Sequence, residues 1–463
     1  MSRFVLFVVA ATAASLVSQV HLSLTNAAQG CPNGVAVSFA SPDAAPFVVE
    51  YGIQGENSIR RSASSSDSYS VSSGSYSYTS PFLHTAYLCD LQPLSIYDYS
   101  IRGGGKSFSF RTTGSVGCPH TTTIIGVVGD PGDTSDSGKA VSNLALTLHG
   151  QPTHALVIAG DYSYANGEHA VWDQWYDFHE AVFARIPQLG INGNHETITY
   201  YGHNGGPRMF DYVGEDYLGY LKRTVSPITE AAKAAKRTYY SFEIGLVHMV
   251  FLDDYVGSKG SKINPVGTNA WLQARNLQLQ WLAQDLARVN RSVTPYVVVV
   301  KHNPFYNTWN DHQCQCSTTR HAIHAEDRDN CWRGVYAVGA AMYEPHCGLQ
   351  AKFELLFVQH RVDIVMAGHV HAYERTARIA HNQVDEVNGV VYITTGAGGN
   401  YEGHAGPRLA SPLPEWSLRA NNQVYGSAKV VATQDNLQVH WFTEFNGVEP
   451  WDSVTLLRRA NIV

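Results

Sequence analysis

The feature that most constrains this chain of 463 residues is an alternation that begins near Thr121. Short apolar runs alternate there with longer stretches whose apolar residues recur at steps of three and four, which is typical of α/β layering. The predicted strands are Ile124–Val128, Ala155–Ala159, Tyr296–Val300, Val362–Met366 and Val390–Thr394. The predicted helices are Glu168–Arg185, Ala270–Val289 and Leu349–Arg361.

Polar motifs follow five apolar runs, one of which is the segment Ile186–Ile191. The motifs are Gly129-Asp130-Pro131-Gly132, Gly160-Asp161-Tyr162-Ser163-Tyr164, Gly193-Asn194-His195-Glu196, Lys301-His302 and Gly368-His369-Val370-His371. Ligands bind at the carboxyl ends of strands in open α/β sheets. A single Gly-Asp is most often a turn, but five such motifs in order predict one shared site.

The residue types in these motifs predict a site for two metal ions. Carboxylate and phenolate oxygens are hard donors, whereas imidazole and the Asn carbonyl suit borderline divalent ions. A phenol, with an ordinary pKa of about 10, binds as phenolate only to a strongly acidic ion such as Fe(III). One carboxylate must bridge the ions to hold them about 3.5–4 Å apart.

The first 28 residues are predicted to be a cleaved secretory leader. The apolar run Phe4–Val17 is shorter than the roughly 20 residues that a membrane span needs. Small residues offer two alternative cleavage exits, at Ala11–Ala13 within the run or at Thr25–Ala27 after it. The alternative is an amino-terminal membrane anchor. No later segment is apolar and long enough to span a bilayer, so a secreted protein is expected.

Seven cysteines in an exported chain predict disulfides, although Cys314-Gln315-Cys316 leaves a metal site as the alternative. Because seven is odd, at least one thiol is free or links two chains, which permits a homodimer. Asn290 begins the sequon Asn290-Arg291-Ser292 and is the predicted glycosylation site.

Residues 29–117 are predicted to form a small all-β domain. Its strands include Val35–Phe39, Phe47–Tyr51 and Tyr97–Ile101. The Ser-rich segment 62–80 alternates Tyr or Val with Ser on both sides of Gly74, which predicts a hairpin in that domain. Lys and Arg number 32 against 39 Asp and Glu, a net charge of −7, so binding to a nucleic-acid scaffold is not expected.

The ordered motifs resemble those of the purple acid phosphatases, within the metallophosphoesterase superfamily. Supporting matches are Arg237-Thr238-Tyr239-Tyr240-Ser241-Phe242, Ala372-Tyr373-Glu374-Arg375 and Gly396-Ala397-Gly398-Gly399. The resemblance implies a fibronectin-III-like β-sandwich at 29–117. It also implies a four-layer α/β/β/α catalytic domain at 118–463 with a carboxyl-terminal β extension.

The resemblance also implies a role for each residue in the motifs. Asp130, Tyr164 and His371 would hold Fe(III), Asp161 would bridge, and Asn194, His302 and His369 would hold the divalent ion, which is Zn, Mn or Fe. His195 would protonate the leaving group and contact the substrate together with Asn194. Asp311 and His312 fall where related plant enzymes place substrate-contacting His residues, and His312 is also a candidate catalytic residue. The Asp is a departure from that pattern.

The implied function is a secreted acid phosphatase that hydrolyses small phosphate monoesters with a hydroxide bound to the metal pair. Two alternatives stay open. One is a phosphodiesterase or nucleotide pyrophosphatase of the same superfamily. The other is a secreted binding protein with a vestigial metal site.

Overall fold

The computed structural model describes residues 16–198, 214–257, 268–313, 316, 321–335 and 347–459. The front part of the chain forms strands β1–β10. Their bounds are Ser18–Thr25, Gly34–Ser41, Val48–Ile53, Arg60–Ala63, Ser65–Asp67, Ser70–Ser73, Tyr76–Thr79, Phe82–Leu88, Ile96–Arg102 and Lys106–Arg111.

These strands build the predicted sandwich. One sheet has the order β1-β2-β8-β5 and the other β10-β9-β3-β4. Alternating side chains such as Val35 and Val37 from the first sheet, and Tyr97 and Tyr99 from the second, are buried in a common apolar cluster. The all-β front domain is therefore confirmed.

The described residues after the front part form seven helices, α1–α7, and strands β11–β24. The helices are Ser135–Ala145, Ala170–Phe183, Leu218–Arg223, Glu230–Ala234, Asn269–Arg288, Arg328–Trp332 and Cys347–Gln359. The strands are Thr123–Val128, Ala155–Ala159, Gln188–Ile191, Tyr240–Ile244, Val247–Phe251, Tyr296–Lys301, Ile364–Ala367, Tyr373–Ala380, Gln383–Val384, Val390–Thr395, Ser417–Asn421, Gly426–Ala432, Asn436–Thr443 and Asp452–Leu457.

Two sheets form the middle of the four-layer domain. In one, β11, β12 and β13 are parallel and β22–β24 extend it as antiparallel strands beside β11. In the other, β15, β16, β17 and β20 are parallel. Inward side chains such as Val127, Val157, Val298 and Met366 fill the space between them. Helices α1 and α2 cover the outer face of the first sheet, and α5 and α7 that of the second.

Strand β1 lies inside the segment predicted as leader. It pairs with β2 along its length and with β13 at Ser23–Gln188, so one sheet of ten strands runs through both domains. Cleavage after Ala27 would remove a strand that has neighbours on both sides. The exit at Ala11–Ala13 is therefore the one compatible with this fold, and the front domain begins before residue 29. Residues 1–15 lie outside the described part of the chain, and cleavage stays a prediction.

The Ser-rich hairpin is present but does not belong to either sheet of the sandwich. Strands β6 and β7 pair only with each other and pack on the catalytic domain. The Tyr78 hydroxyl donates to Asp173 in α2 at 2.7 Å, and Arg223 at the end of α3 donates to the Tyr69 hydroxyl at 3.0 Å. The hairpin thus joins the two domains. Within the described ranges, no helix has the length and apolar character that crossing a bilayer requires.

Candidate metal centre

The predicted ligands meet at one edge of the two central sheets. Asp130, Asp161 and Asn194 follow β11, β12 and β13, while His302, His369 and His371 follow β16 and β17. Since these strands are parallel within each sheet, their carboxyl ends lie side by side. Asp130, Asp161, Tyr164, Asn194 and His302 are buried, and His369 and His371 are partly exposed. All seven predicted ligands come together.

One group of side chains surrounds the amide oxygen of Asn194. This Oδ1 lies 2.9 Å from His302 Nε2 and 2.9 Å from His369 Nδ1. The Oδ2 of Asp161 lies 3.0 Å from His302 Nε2. Potential ligand atoms of Asp161, His302 and His369 all lie within 4.8 Å of one another.

A second group surrounds Tyr164. Its hydroxyl lies 3.2 Å from Asp130 Oδ1 and 3.0 Å from His371 Nε2. The two groups touch through Asp130, whose Oδ1 lies 4.0 Å from His302 Nε2. The three side chains of this second group, Asp130, Tyr164 and His371, are those that the resemblance assigns to one ion.

The imidazole rings are oriented as metal ligands require. His302 Nδ1 lies 2.8 Å from the Ala159 carbonyl oxygen, and His371 Nδ1 lies 3.0 Å from that of Gly403. A hydrogen on each Nδ1 donates to these carbonyls and leaves Nε2 as a lone-pair donor facing the centre. Both rings therefore fit a metal site.

The electrostatics of the site also call for a cation. Burial opposes a charge on His302, but Asp161 and Asp130 outweigh it and raise the pKa of that imidazole to about 10. Burial and the same carboxylates raise the pKa of Tyr164 well above its ordinary value. A buried pocket that favours positive charge this strongly suits metal ions, and the donor set fits a binuclear centre.

Backbone conformation at the strand ends is unusual. Asp130, Asp161, Tyr164 and His369 have φ values of 58°, 53°, 55° and 65°. Non-glycine residues seldom adopt this left-handed region, and such outliers concentrate at functional sites. Glycine is required beside them for space, because a methyl group at Gly193 would clash with the Asp161 carboxylate and one at Gly368 with that of Asp130.

Glu196 is a site residue that the sequence interpretation missed. Its buried carboxylate accepts hydrogen bonds from the backbone N–H groups of Asp161, Tyr162 and Gly193 at 2.8–2.9 Å. Burial and the charge of Asp161 raise the pKa of Glu196 to about 8. The side chain fixes the Asp161 turn against the Asn194 turn. Its place in Gly-Asn-His-Glu was visible in the sequence, but its role depends on contacts that only the fold shows.

His195 lies at the edge of the centre, and its Nδ1 is bound by a neighbouring side chain. Its Nδ1 lies 2.5 Å from the Oδ1 of Asn166, and its Nε2 lies 3.8 Å from Asp161 Oδ2 and 3.8 Å from Glu402 Oε1. The Asn166 amide also donates to the Tyr401 hydroxyl at 2.9 Å. These contacts turn Nε2 toward the site. Asn166 and Glu402 were not predicted.

Asp311 and His312 form a short 3₁₀ turn beside the site. The half-buried His312 ring packs edge-on against that of His369, with ring centroids 5.1 Å apart. Asp311 is exposed at the rim, next to Gly406. The structure therefore brings His312 to the centre and leaves Asp311 outside it.

The predicted glycosylation site and the cysteines are not among the residues that line the centre. Asn290 is exposed just after α5. Cys31 and Cys89 form a disulfide, and Cys118 is a partly exposed free thiol. Cys314 and the side chain of Cys347 lie outside the described residues.

Comparisons with known proteins agree along the chain. Residues 17–112 match the model of the purple acid phosphatase N-terminal domain. Residues 117–373 match the calcineurin-like phosphoesterase model, and residues 389–452 match that of the iron/zinc purple acid phosphatase-like protein C.

Individual relatives and a solved structure give the same result. The chain is 29% identical to purple acid phosphatase 22 of Arabidopsis thaliana over 91% of this chain and 80% of that protein. It is 30% identical to purple acid phosphatase 1 of Ipomoea batatas over 83% of this chain and 72% of that protein. The structure of purple acid phosphatase PPD1 from yellow lupin (Lupinus luteus) seeds covers 96% of this chain and 75% of its own, with a TM-score of 0.71 and 20% identity. That structure shares the fold.

Proposed function

The chain belongs to the purple acid phosphatase family, and from this premise we propose that it hydrolyses phosphate monoesters at a centre of Fe(III) and a divalent ion. The observation that carries the proposal is the setting of Tyr164. Its hydroxyl is fully buried between Asp130 and His371. A phenol in a negative pocket ionises only beside a strongly acidic cation, which favours Fe(III) over a second divalent ion.

The ligand assignment follows the two groups of side chains. Asp130, Tyr164 and His371 would hold Fe(III), and Asp161 would bridge. Asn194, His302 and His369 would hold Zn, Mn or Fe(II). When bound, a pair of ions of this kind activates water and neutralises the charge of a phosphate ester.

The chain's own residues supply the other parts of the reaction. His195 holds a proton at Nε2 and would give it to the departing alkoxide oxygen, since Asn166 fixes Nδ1 on the opposite side of the ring. His312 is placed to contact a bound substrate beside His369. Asp311, at the rim, would meet only the leaving group of a larger ester.

The diesterase alternative makes a different kinetic prediction. A monoester carries two ionisable oxygens for the metal pair, whereas a diester carries one and a second alkyl group. We expect kcat/KM for the monoester phenyl phosphate to exceed that for the diester diphenyl phosphate by at least about 100-fold. This ratio corresponds to a difference of about 3 kcal/mol in transition-state binding. A reversed order would assign the chain to the diesterase alternative.

Visible absorption of the purified protein tests the Fe(III) site directly. We expect a broad band from tyrosinate-to-iron charge transfer and about one equivalent of iron that resists dialysis. Tyr164→Phe should abolish the band, while Tyr162→Phe, a buried phenol two residues away that packs against Trp175, should retain it. A colourless wild type, or a band that survives in Tyr164→Phe, would contradict the assignment.

Secretion, glycosylation at Asn290 and assembly into a homodimer belong to the same proposal. The disulfide Cys31–Cys89 supports an oxidising compartment. Mass spectrometry of protein secreted by a eukaryotic host, before and after glycosidase treatment, tests secretion and glycosylation at Asn290. Gel filtration under reducing and non-reducing conditions tests assembly into a homodimer.

A further inference from the structure

Two cysteines lie together in a small buried cluster outside the metal centre. Cys331, in α6, is fully buried and Cys316 is 4% exposed, and both pack with Ile323 and Ala351. The two side chains pack in the same four-residue cluster, and an electrostatic interaction couples their thiols. The contact joins the segment that follows Asp311 and His312 to the helix α6.

The described surroundings of the pair hold no further candidate metal ligand in a group of three. Zinc in a structural site takes four ligands. Among the described residues, a group of three or more candidate ligands occurs at Asp161, His302 and His369, and the cysteine pair has no third partner of this kind. The neighbours in the cluster, Ile323 and Ala351, are apolar.

The pair also lacks the features of a reactive thiol. The contact with Cys331 and burial raise the pKa of the Cys316 thiol, and they outweigh the opposing positive charge of Arg275. Arg275 itself is held in place, stacked 3.6 Å from the Trp271 ring and donating to the Trp332 carbonyl at 3.1 Å. A buried, protonated thiol is a slow nucleophile, so a catalytic or sensing role is disfavoured.

We propose that Cys316 and Cys331 form a second structural disulfide in the mature protein. The two thiols would react with a disulfide donor, either glutathione disulfide or a protein disulfide oxidoreductase. One S–S bond forms in the chain, the donor's S–S bond breaks, and the donor leaves as two thiols that carry both protons. The chain already holds the disulfide Cys31–Cys89, so it is compatible with such chemistry.

The bond would act as a tether beside the active site. It would link residues fifteen positions apart and fix the chain four residues after His312. Ile323, in the same segment, exchanges hydrogen bonds with Asn382, at 3.3 Å through its N–H and 2.9 Å through its carbonyl. The tether and these bonds would hold the turn that carries Asp311 and His312 against α6.

Peptide mapping tests the bond without relying on activity. Protein secreted by a eukaryotic host is alkylated at acidic pH under denaturing conditions and digested with trypsin without reduction. Cleavage after Lys301, Arg320, Arg328 and Arg333 isolates Cys331 from Cys347 and from the peptide that holds Cys314 and Cys316. We expect the peptide that holds Cys331 to be linked to the peptide that holds both Cys314 and Cys316. Fragmentation on either side of Gln315 then assigns the bond to Cys316. Alkylated Cys316 and Cys331, or a link from either to another cysteine, would overturn the proposal.

Cysteine variants give an independent thermodynamic test. Cys316→Ser and Cys331→Ser should each lower the melting temperature by roughly 5 °C or more, and the double variant should be no less stable than the singles, because either change breaks the same bond. Cys118→Ser is the matched control and should leave the melting temperature unchanged. Additive losses from the two single changes would mean two separate buried thiols and would overturn the proposal.

Discussion

Four of the seven proposed ligands hold the left-handed backbone conformation, which costs a non-glycine residue roughly 1–2 kcal/mol. The cost is compensated by neighbouring contacts, such as the hydrogen bond from His195 N–H to Asp161 Oδ1 at 2.9 Å and the three bonds that Glu196 accepts. Backbone strain of this kind is typical of functional sites and does not add to stability.

The strained ligand conformations predict an unusual order of stability at Asp161. Both Asp161→Ala and Asp161→Gly should lose bound metal, but the glycine variant should be more stable by about 1 kcal/mol, because glycine adopts a φ near 53° without strain. Urea denaturation in the presence of a chelator measures the difference. Asp253, a buried Asp whose φ lies outside the left-handed region, is the control, and there alanine should be the more stable. If the glycine variant is more stable than the alanine variant at both Asp161 and Asp253, or less stable at both, the interpretation is contradicted.

His195 and Asn166 should respond to the leaving group. His195→Ala should lower kcat/KM for an alkyl phosphate by roughly 100-fold or more, and much less for a nitrophenyl phosphate, whose leaving group needs no proton. Asn166→Ala should show the same pattern with a smaller loss in kcat/KM, since the His195 imidazole remains but is no longer oriented by the Asn166 side chain. Equal losses on both substrates would exclude the acid role of His195, and metal analysis shows whether the centre stays intact.

At the scale of elements, an ionised histidine links the outer helix α5 to its sheet. His248 in β15 lies 2.9 Å from Asp285 in α5 and 3.4 Å from Glu243 in β14. Burial lowers the pKa of His248, but the two carboxylates outweigh it and raise that pKa from 6.5 to about 9. Because the pKa is higher in the folded protein, the interaction of protonated His248 with the two carboxylates stabilises the fold fully below about pH 6.5. This stabilisation is lost as the pH rises through about 9.

This ion pair predicts a pH-dependent stability. His248→Gln should lower the free energy of unfolding at pH 5.5 by up to about 3 kcal/mol, and the deficit should disappear near pH 10. Chemical denaturation at the two pH values measures it. His440 in β23, whose pKa is lowered by burial, is the control, and its Gln variant should show no loss at acid pH. A deficit at His248 that is equal at both pH values would indicate packing alone.

The parallel strands were predictable from the sequence because buried strands are continuous apolar runs. The place of the proposed ligands was predictable because they follow the ends of these strands. Ala155–Ala159 is identical in prediction and structure, and Val390–Thr395 differs by one residue. Helix α1 was missed because its segment Ser135–Ala145 is mostly small and polar. Its buried face is set by contacts with β11, α2 and β22, of which β22 is the most distant in sequence. Glu196 and Asn166 were missed because they act through contacts between turns that are distant in sequence.

At the scale of the whole molecule, the two domains share one apolar core as well as one sheet. The buried residues of the sandwich and those between the catalytic sheets belong to a single cluster. The hairpin β6–β7 adds a polar contact, in which the buried Arg223 binds Tyr69, Tyr78 and Asp173. We therefore expect the front domain and the catalytic domain to unfold in one transition.

The Arg223 contact tests this coupling. Arg223→Met should cost about 3–5 kcal/mol, because Asp173 is left without its guanidinium partner, and should broaden or split the calorimetric transition. Lys222→Met removes the adjacent ion pair with the exposed Asp67 and should change stability by less than about 1 kcal/mol. Equal effects of the two changes would contradict the coupling.

The position of β1 has a consequence for how the chain is made. This strand is made long before its partner, since Gln188 in β13 is synthesised 165 residues later than Ser23. At about 5–20 residues per second the delay is roughly 10–30 s. During that time β1 can pair with β2, but its other edge is an open template for the strands of a neighbouring nascent chain. Expression yield should therefore depend on elongation speed between residues 120 and 190, and on chaperones that cover a strand edge.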